Sequence, residues 1–149
     1  MYRFFITLHA RPPAAAPGPA VQLEGRALAT LAIAPAELSS TTFDISFEQA
    51  RERLDALPRM YSEADGSFVW VSSHDEPSWQ VDGNLYDRNG QLLFVDLKGS
   101  CPAESFDTLL SALAGSTRAC MFQLTREAVF LDDGEFRKFA LQRDSRDTG

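Results

Sequence analysis

Three residues in the middle of the chain carry side chains suited to chemistry: Asp82, Asp96 and Lys98. They lie in the stretch 79–115, WQVDGNLYDRNGQLLFVDLKGSCPAESFDTLLSALAG, which reads as strand, tight turn, strand, loop and capped helix. Carboxylates directly opposed on paired antiparallel strands stand about 5 Å apart and repel each other. A proton on one of them, a nearby cation or a bound metal removes that repulsion. Whether the two aspartates meet in this way depends on the register of the hairpin.

A slip of one residue sends a strand's whole apolar set to the opposite face, so the side chains themselves indicate the register. With a two-residue loop at Asn89-Gly90, Asp82 faces Leu97 and Gly83 faces Asp96, which mixes polar and apolar on both faces. With a three-residue loop of Arg88, Asn89 and Gly90, Gly90 is left-handed after a type I turn, Asp87 faces Gln91 and Asp82 faces Asp96. The second register is preferred. It gathers Val81, Gly83, Leu85, Leu93, Val95 and Leu97 on one face and Gln80, Asp82, Asn84, Phe94, Asp96 and Lys98 on the other.

An aspartate followed, across a hairpin, by Asp-x-Lys resembles the catalytic core motif of the PD-(D/E)xK nuclease superfamily. In that family two acidic residues hold a magnesium ion and the lysine positions or activates the attacking water. The resemblance implies Asp82 and Asp96 as metal ligands and Lys98 as that lysine. The elements over residues 47–124, in the order helix, three strands, helix, strand, are similar to the family's αβββαβ core. Some members add an acid from the first helix, where Glu48 and Glu52 stand one turn apart. With Arg51 and Arg53 interleaved, these two read as a solvated helix face. The chain departs from the family pattern in having Val81 where a proline often precedes the first acid, Asp as the second acid, and no basic cluster beside the motif.

The elements that must position these residues follow from pattern. At 149 residues the chain predicts one domain, long enough to bury roughly two thirds of the surface its unfolded form exposes. A hydrophobic content of 44% with 23% charged residues is that of an ordinary globular protein. The opening YRFFITLH reads as a strand, its apolar run being too short for a leader. RPPAAAPGPA, residues 11–20, reads as a protruding loop, because its prolines remove donors and restrict their neighbours. Residues 21–33 alternate like one half-buried strand closed by Pro35. Ser46 and Gln49 form a capping-box pattern ahead of the stripe Phe47, Ala50, Leu54 and Leu57, and Pro58 stops that helix. A strand apolar on both sides follows at residues 67–73. After the hairpin, Ser100 or Cys101 caps a helix with the stripe Phe106, Leu109, Leu110 and Leu113, ended by Gly115. Strands at 119–125 and 128–131 precede a last helix whose inner face is Phe136, Phe139 and Ala140. Residues 143–149 read as a frayed polar tail. The fold class is therefore α+β, with a central, mostly antiparallel sheet flanked by two or three helices.

Composition narrows the function. A net charge of -7 disfavours non-specific attraction to nucleic acid or to anionic membranes. No stretch is long and apolar enough to span a bilayer, two cysteines do not make a disulfide scaffold, and the cytoplasm is the default location. Neither His9 nor His74 has a metal-ligand spacing, and no glycine-rich phosphate loop or GxSxG elbow is present. Cys101, at a helix start, lacks a CxxC partner and reads as partly buried and inert. Two classes of function remain. One is a binding module without catalysis or cofactor, which takes a protein or small ligand on an aromatic patch of Trp70, Trp79, Tyr86 and Phe94. The other is a magnesium-dependent phosphodiesterase using Asp82, Asp96 and Lys98.

Overall fold

The structure, a computed structural model, describes residues 1–114 and 119–148. Its elements run β1 (Tyr2–Ala10), β2 (Ala16–Pro17), β3 (Val21–Leu23), β4 (Arg26–Leu28), β5 (Leu31–Ala32), α1 (Pro35–Ser40), α2 (Phe47–Asp55), β6 (Met60–Ser62), β7 (Ser67–Val71), β8 (Gln80–Arg88), β9 (Gln91–Cys101), α3 (Ala103–Ala114), β10 (Cys120–Leu124), β11 (Val129–Leu131) and α4 (Asp133–Thr148). Nine strands form one sheet in the order β2-β5-β11-β10-β1-β9-β8-β7-β6, and its ladders are antiparallel. Strands β3 and β4 make a separate hairpin. The α+β class with a mostly antiparallel sheet is thus the observed architecture.

Alternation in β1 sets the two faces of the sheet. Tyr2, Phe4, Ile6 and Leu8 are buried on one side, while Arg3, Phe5, Thr7 and His9 point to the other. All three longer helices pack on the first side. Phe106 of α3 meets Tyr2, Phe4 and Phe122 edge-on or tilted, and Phe136 of α4 stacks on Phe122 with centroids 4.7 Å apart. Ala50 and Leu54 of α2 join the same core as Val81 and Leu85. Each such fully buried Leu or Phe side chain stabilises the fold by about 1.5–3 kcal/mol. The capping box at the start of α2 forms as its sequence predicts: the Ser46 hydroxyl accepts from the Gln49 amide, and the Ser46 amide donates to the Gln49 side chain.

Several expectations are corrected. Residues 21–33 do not form one strand, because Glu24 (φ 53°) and Gly25 (φ 76°) make a two-residue turn between β3 and β4. The proline-rich segment does contribute to the sheet: Ala16 and Pro17 pair with β5 at its outermost position, where a proline's missing donor goes unused. Strand β6 adds a fourth strand between α2 and α3, so the element order over residues 47–124 is αββββαβ. Helix α4 continues to Thr148, through most of the stretch expected to fray. Gly115, the expected helix stop, lies outside the described residues.

Candidate binding face

The hairpin that carries Asp82, Asp96 and Lys98 turns at Asn89 (φ 52°) and Gly90 (φ 86°), both left-handed, in a two-residue loop that pairs Arg88 with Gln91. The Asp87 carboxylate accepts from the Gly90 amide at 3.0 Å and holds the turn. A bulge then follows, with Asp87 opposite Leu92 but Tyr86 opposite Phe94, so that Leu93 has no ladder partner. The expected three-residue loop is therefore wrong, and with it the pairings Asp87–Gln91 and Asp82–Asp96. Asp82 faces Lys98, and Asn84 faces Asp96. Leu92 rather than Leu93 enters the core.

The bulge keeps the parity of the faces, so Gln80, Asp82, Asn84, Tyr86, Phe94, Asp96 and Lys98 still share the side of the sheet opposite the three helices. What changes is the electrostatics. Two aspartates directly opposed would have needed a neutralising partner; here the ammonium of Lys98 stands across from Asp82, and Asp96 lies on the diagonal. One Asp82 oxygen accepts from the Gln80 amide group at 2.9 Å.

Asp96 sits at the centre of this face and is bound by side chains from distant parts of the chain. Thr7 donates its hydroxyl to one Asp96 oxygen at 2.8 Å, and the Thr7 and Thr125 hydroxyls lie 3.2 Å apart. Nearby, desolvation first and then the charge of Asp96 push the Tyr86 phenol above its usual pKa. His9 lies one step along β1, where its Nε2 is 2.9 Å from the Gln123 side-chain oxygen and its ring lies between Phe94 and Phe130. Burial lowers its pKa, opposed by the Gln123 bond and the Asp96 charge. The imidazole is neutral at neutral pH, with Nε2–H donating to Gln123.

This titration has a stability consequence. A histidine held below its unfolded value of about 6.5 leaves stability intact above that pH. Stability falls as the pH drops below it, because the unfolded imidazole takes up a proton that the folded one resists. Urea unfolding at pH 7.5 and pH 5.5 is expected to show this loss, and His9→Gln to reduce it. An equal loss in both proteins would mean that His9 is not its source.

The aromatic candidates divide. Trp70 and Trp79 are 3% and 4% exposed and pack edge-on at 5.0 Å in the core, Trp70 donating to the Pro58 carbonyl, so neither belongs to a surface patch. Strand β7, which carries Trp70, is apolar on both sides, and sequence alone leaves open which side the helices cover. Tyr86 and Phe94 are stacked with centroids 4.4 Å apart, Tyr86 exposed and Phe94 half-buried. Pattern reading missed Tyr61: at 64% it is the most exposed large hydrophobic side chain among the described residues, and it lies on this same face through the ladder Tyr61–Val69–Asp82. It belongs to β6, three residues too short to show alternation. The alternation of YRFFITLH was signal enough to put Phe5, Thr7 and His9 on one face.

A depression of about 300 Å³ lies among Phe5, Asp82, Asn84, Asp96, Lys98 and Thr125. Magnesium takes one or two carboxylates plus waters, so Asp82 and Asp96 fit it in kind. Among the described residues, no group of three or more His, Cys, Asp or Glu side chains is placed to hold a metal. Glu48 and Glu52 ride on α2, beneath the opposite face of the sheet, and Glu48 pairs with Arg51 at 3.6 Å. His74 is exposed. Cys101 and Cys120 are buried thiols, and burial pushes each up to about 12, which keeps both unreactive at neutral pH. No described helix is long and apolar enough to cross a membrane.

Comparison with models of protein families, with curated proteins and with solved structures returned no match.

Proposed function

We propose that this protein is a non-catalytic binding module that takes a protein partner on the sheet face carrying Tyr61, Tyr86, Phe94 and the Asp96 network. One observation carries the reading. Of the three exposed large hydrophobic side chains among the described residues, Tyr61, Tyr86 and Leu141, two lie on this one face. Tyrosines present large rigid area at small entropic cost and are enriched where proteins meet. Polar groups between them are already engaged: Asp96 accepts from Thr7, and His9 holds Gln123. Such bonds make a preformed surface. Retention of a partner from the source cells is expected with the wild type. It is expected to be lost with Tyr61→Ser/Tyr86→Ser, which should still unfold cooperatively, the lost Tyr86–Phe94 stack costing about 0.5–1.5 kcal/mol. A partner held equally by that variant would overturn the reading.

A second reading, a magnesium-dependent phosphodiesterase, is favoured by the common face of Asp82, Asp96 and Lys98. Asp82 and Asp96 would hold the ion, which supplies a polarised phosphoryl group and a more acidic water. Lys98 would stabilise developing charge. Thermal stabilisation by magnesium that Asp96→Asn abolishes, with cleavage of DNA or RNA, would displace the binding reading. No response to magnesium or manganese removes the enzyme.

A further inference from the structure

On its β1 side, strand β10 pairs with residues 6–10 and not with the first half of that strand. Beyond the bond from the Thr125 amide to the Phe5 carbonyl (3.2 Å), the chain turns away. The first half of β1 therefore borders a cavity of about 410 Å³, the size of a small-molecule site, with Leu124, Phe136 and Phe139 reaching its wall. At its mouth two cations attend one half-buried ring: Lys98 Nζ lies 5.2 Å and the Arg126 guanidinium 5.5 Å from the centre of Phe5. Both are exposed cation–π contacts, which hold the two charges beside the ring and leave them able to meet an anion. Asp82 across the ladder offsets Lys98 only in part, since no ion pair within 4.0 Å joins them among the described residues.

We propose that this cavity binds a small carboxylate with an apolar body, its oxygens between Lys98 and Arg126 and its body against Phe5 and the cavity wall. Arg3, Lys98 and Arg126 against Glu24 and Glu127 give the lining one net positive charge, which matches a monoanion better than a phosphate dianion. The site stands whether or not a protein docks on Tyr61 and Tyr86, since those residues do not line it. The carboxylate belongs either to a free acid or to the C-terminus of a peptide. NMR titration of the full chain with 3-phenylpropanoate and with N-acetylphenylalanine separates these sources; benzyl alcohol and inorganic phosphate are the controls. Saturable shifts at the Phe5, Gly99 and Arg126 amides are expected for at least one acid, at least tenfold tighter than for either control. Lys98→Met/Arg126→Gln, both at exposed positions, is expected to weaken binding at least tenfold while the variant keeps the dispersed amide spectrum of the folded protein. Absence of saturable binding by both acids, equal binding of a control, or undiminished binding by the double variant would each overturn the proposal.

Discussion

Gly99→Ala is expected to destabilise the protein by more than about 3 kcal/mol, although it adds a single methyl group. Gly99 sits within β9 at φ 140°, a conformation open to glycine and strained for any L side chain. A Cβ there would lie 2.1 Å from the Gln80 carbonyl oxygen, and that oxygen is backbone, so no rotamer change can clear it. Relief requires β8 and β9 to separate where Val81 faces Gly99, one step from the Asp82–Lys98 pair. Gly90→Ala is the natural control. Gly90 is also left-handed, at φ 86°, but open space surrounds the place of its Cβ, so its substitution is expected to cost only about 1–2 kcal/mol. Urea unfolding of both variants tests the contrast. Equal losses would show that strand contact at Gly99 adds nothing to the dihedral strain.

Phe106→Ala is expected to cost about 3–5 kcal/mol, a large share of the total stability of a domain this size. Its ring is fully buried and is the one that ties three layers of contact together: Phe4 at 5.2 Å and Tyr2 at 5.7 Å on β1, Phe122 at 6.2 Å on β10, and Phe136 at 5.5 Å on α4. The rim of this cluster is closed by Arg137, which lies over the Tyr2 and Phe106 rings and pairs with Asp107 of α3 and Asp133 of α4. Surrounding strands and helices leave the cavity little room to collapse, which puts the cost toward the upper end of that range. Chemical denaturation should show the loss together with a shared effect in Phe106→Ala/Phe136→Ala that is less than additive, because the two rings touch. A loss below about 1.5 kcal/mol would mean that the cluster repacks around the missing ring.

The sequence by itself determined what depends on local periodicity and local hydrogen bonding. The stripe Phe106, Leu109, Leu110 and Leu113 is buried as its spacing requires, and the Ser46–Gln49 box caps α2, because both need only neighbours within two helical turns. The sorting of the hairpin into a face with Val81, Leu85, Val95 and Leu97 and a face with Asp82, Asp96 and Lys98 also held, since side chains alternate with period two whatever the loop. Register is another matter. Two left-handed residues at the turn and the bulge at Leu93 shift the strands without changing parity, so the same sequence pattern fits Asp82 opposite Asp96 or opposite Lys98. Only tertiary structure chose the second. It alone also decided that helices cover the side bearing Trp70 and Trp79, leaving Tyr61 and Tyr86 in the open. It alone brought Thr7 to Asp96 across 89 residues, a contact that exists because β1 is threaded between β9 and β10. Pairings of that kind are set by the packing of the whole sheet, and no window of local sequence contains them.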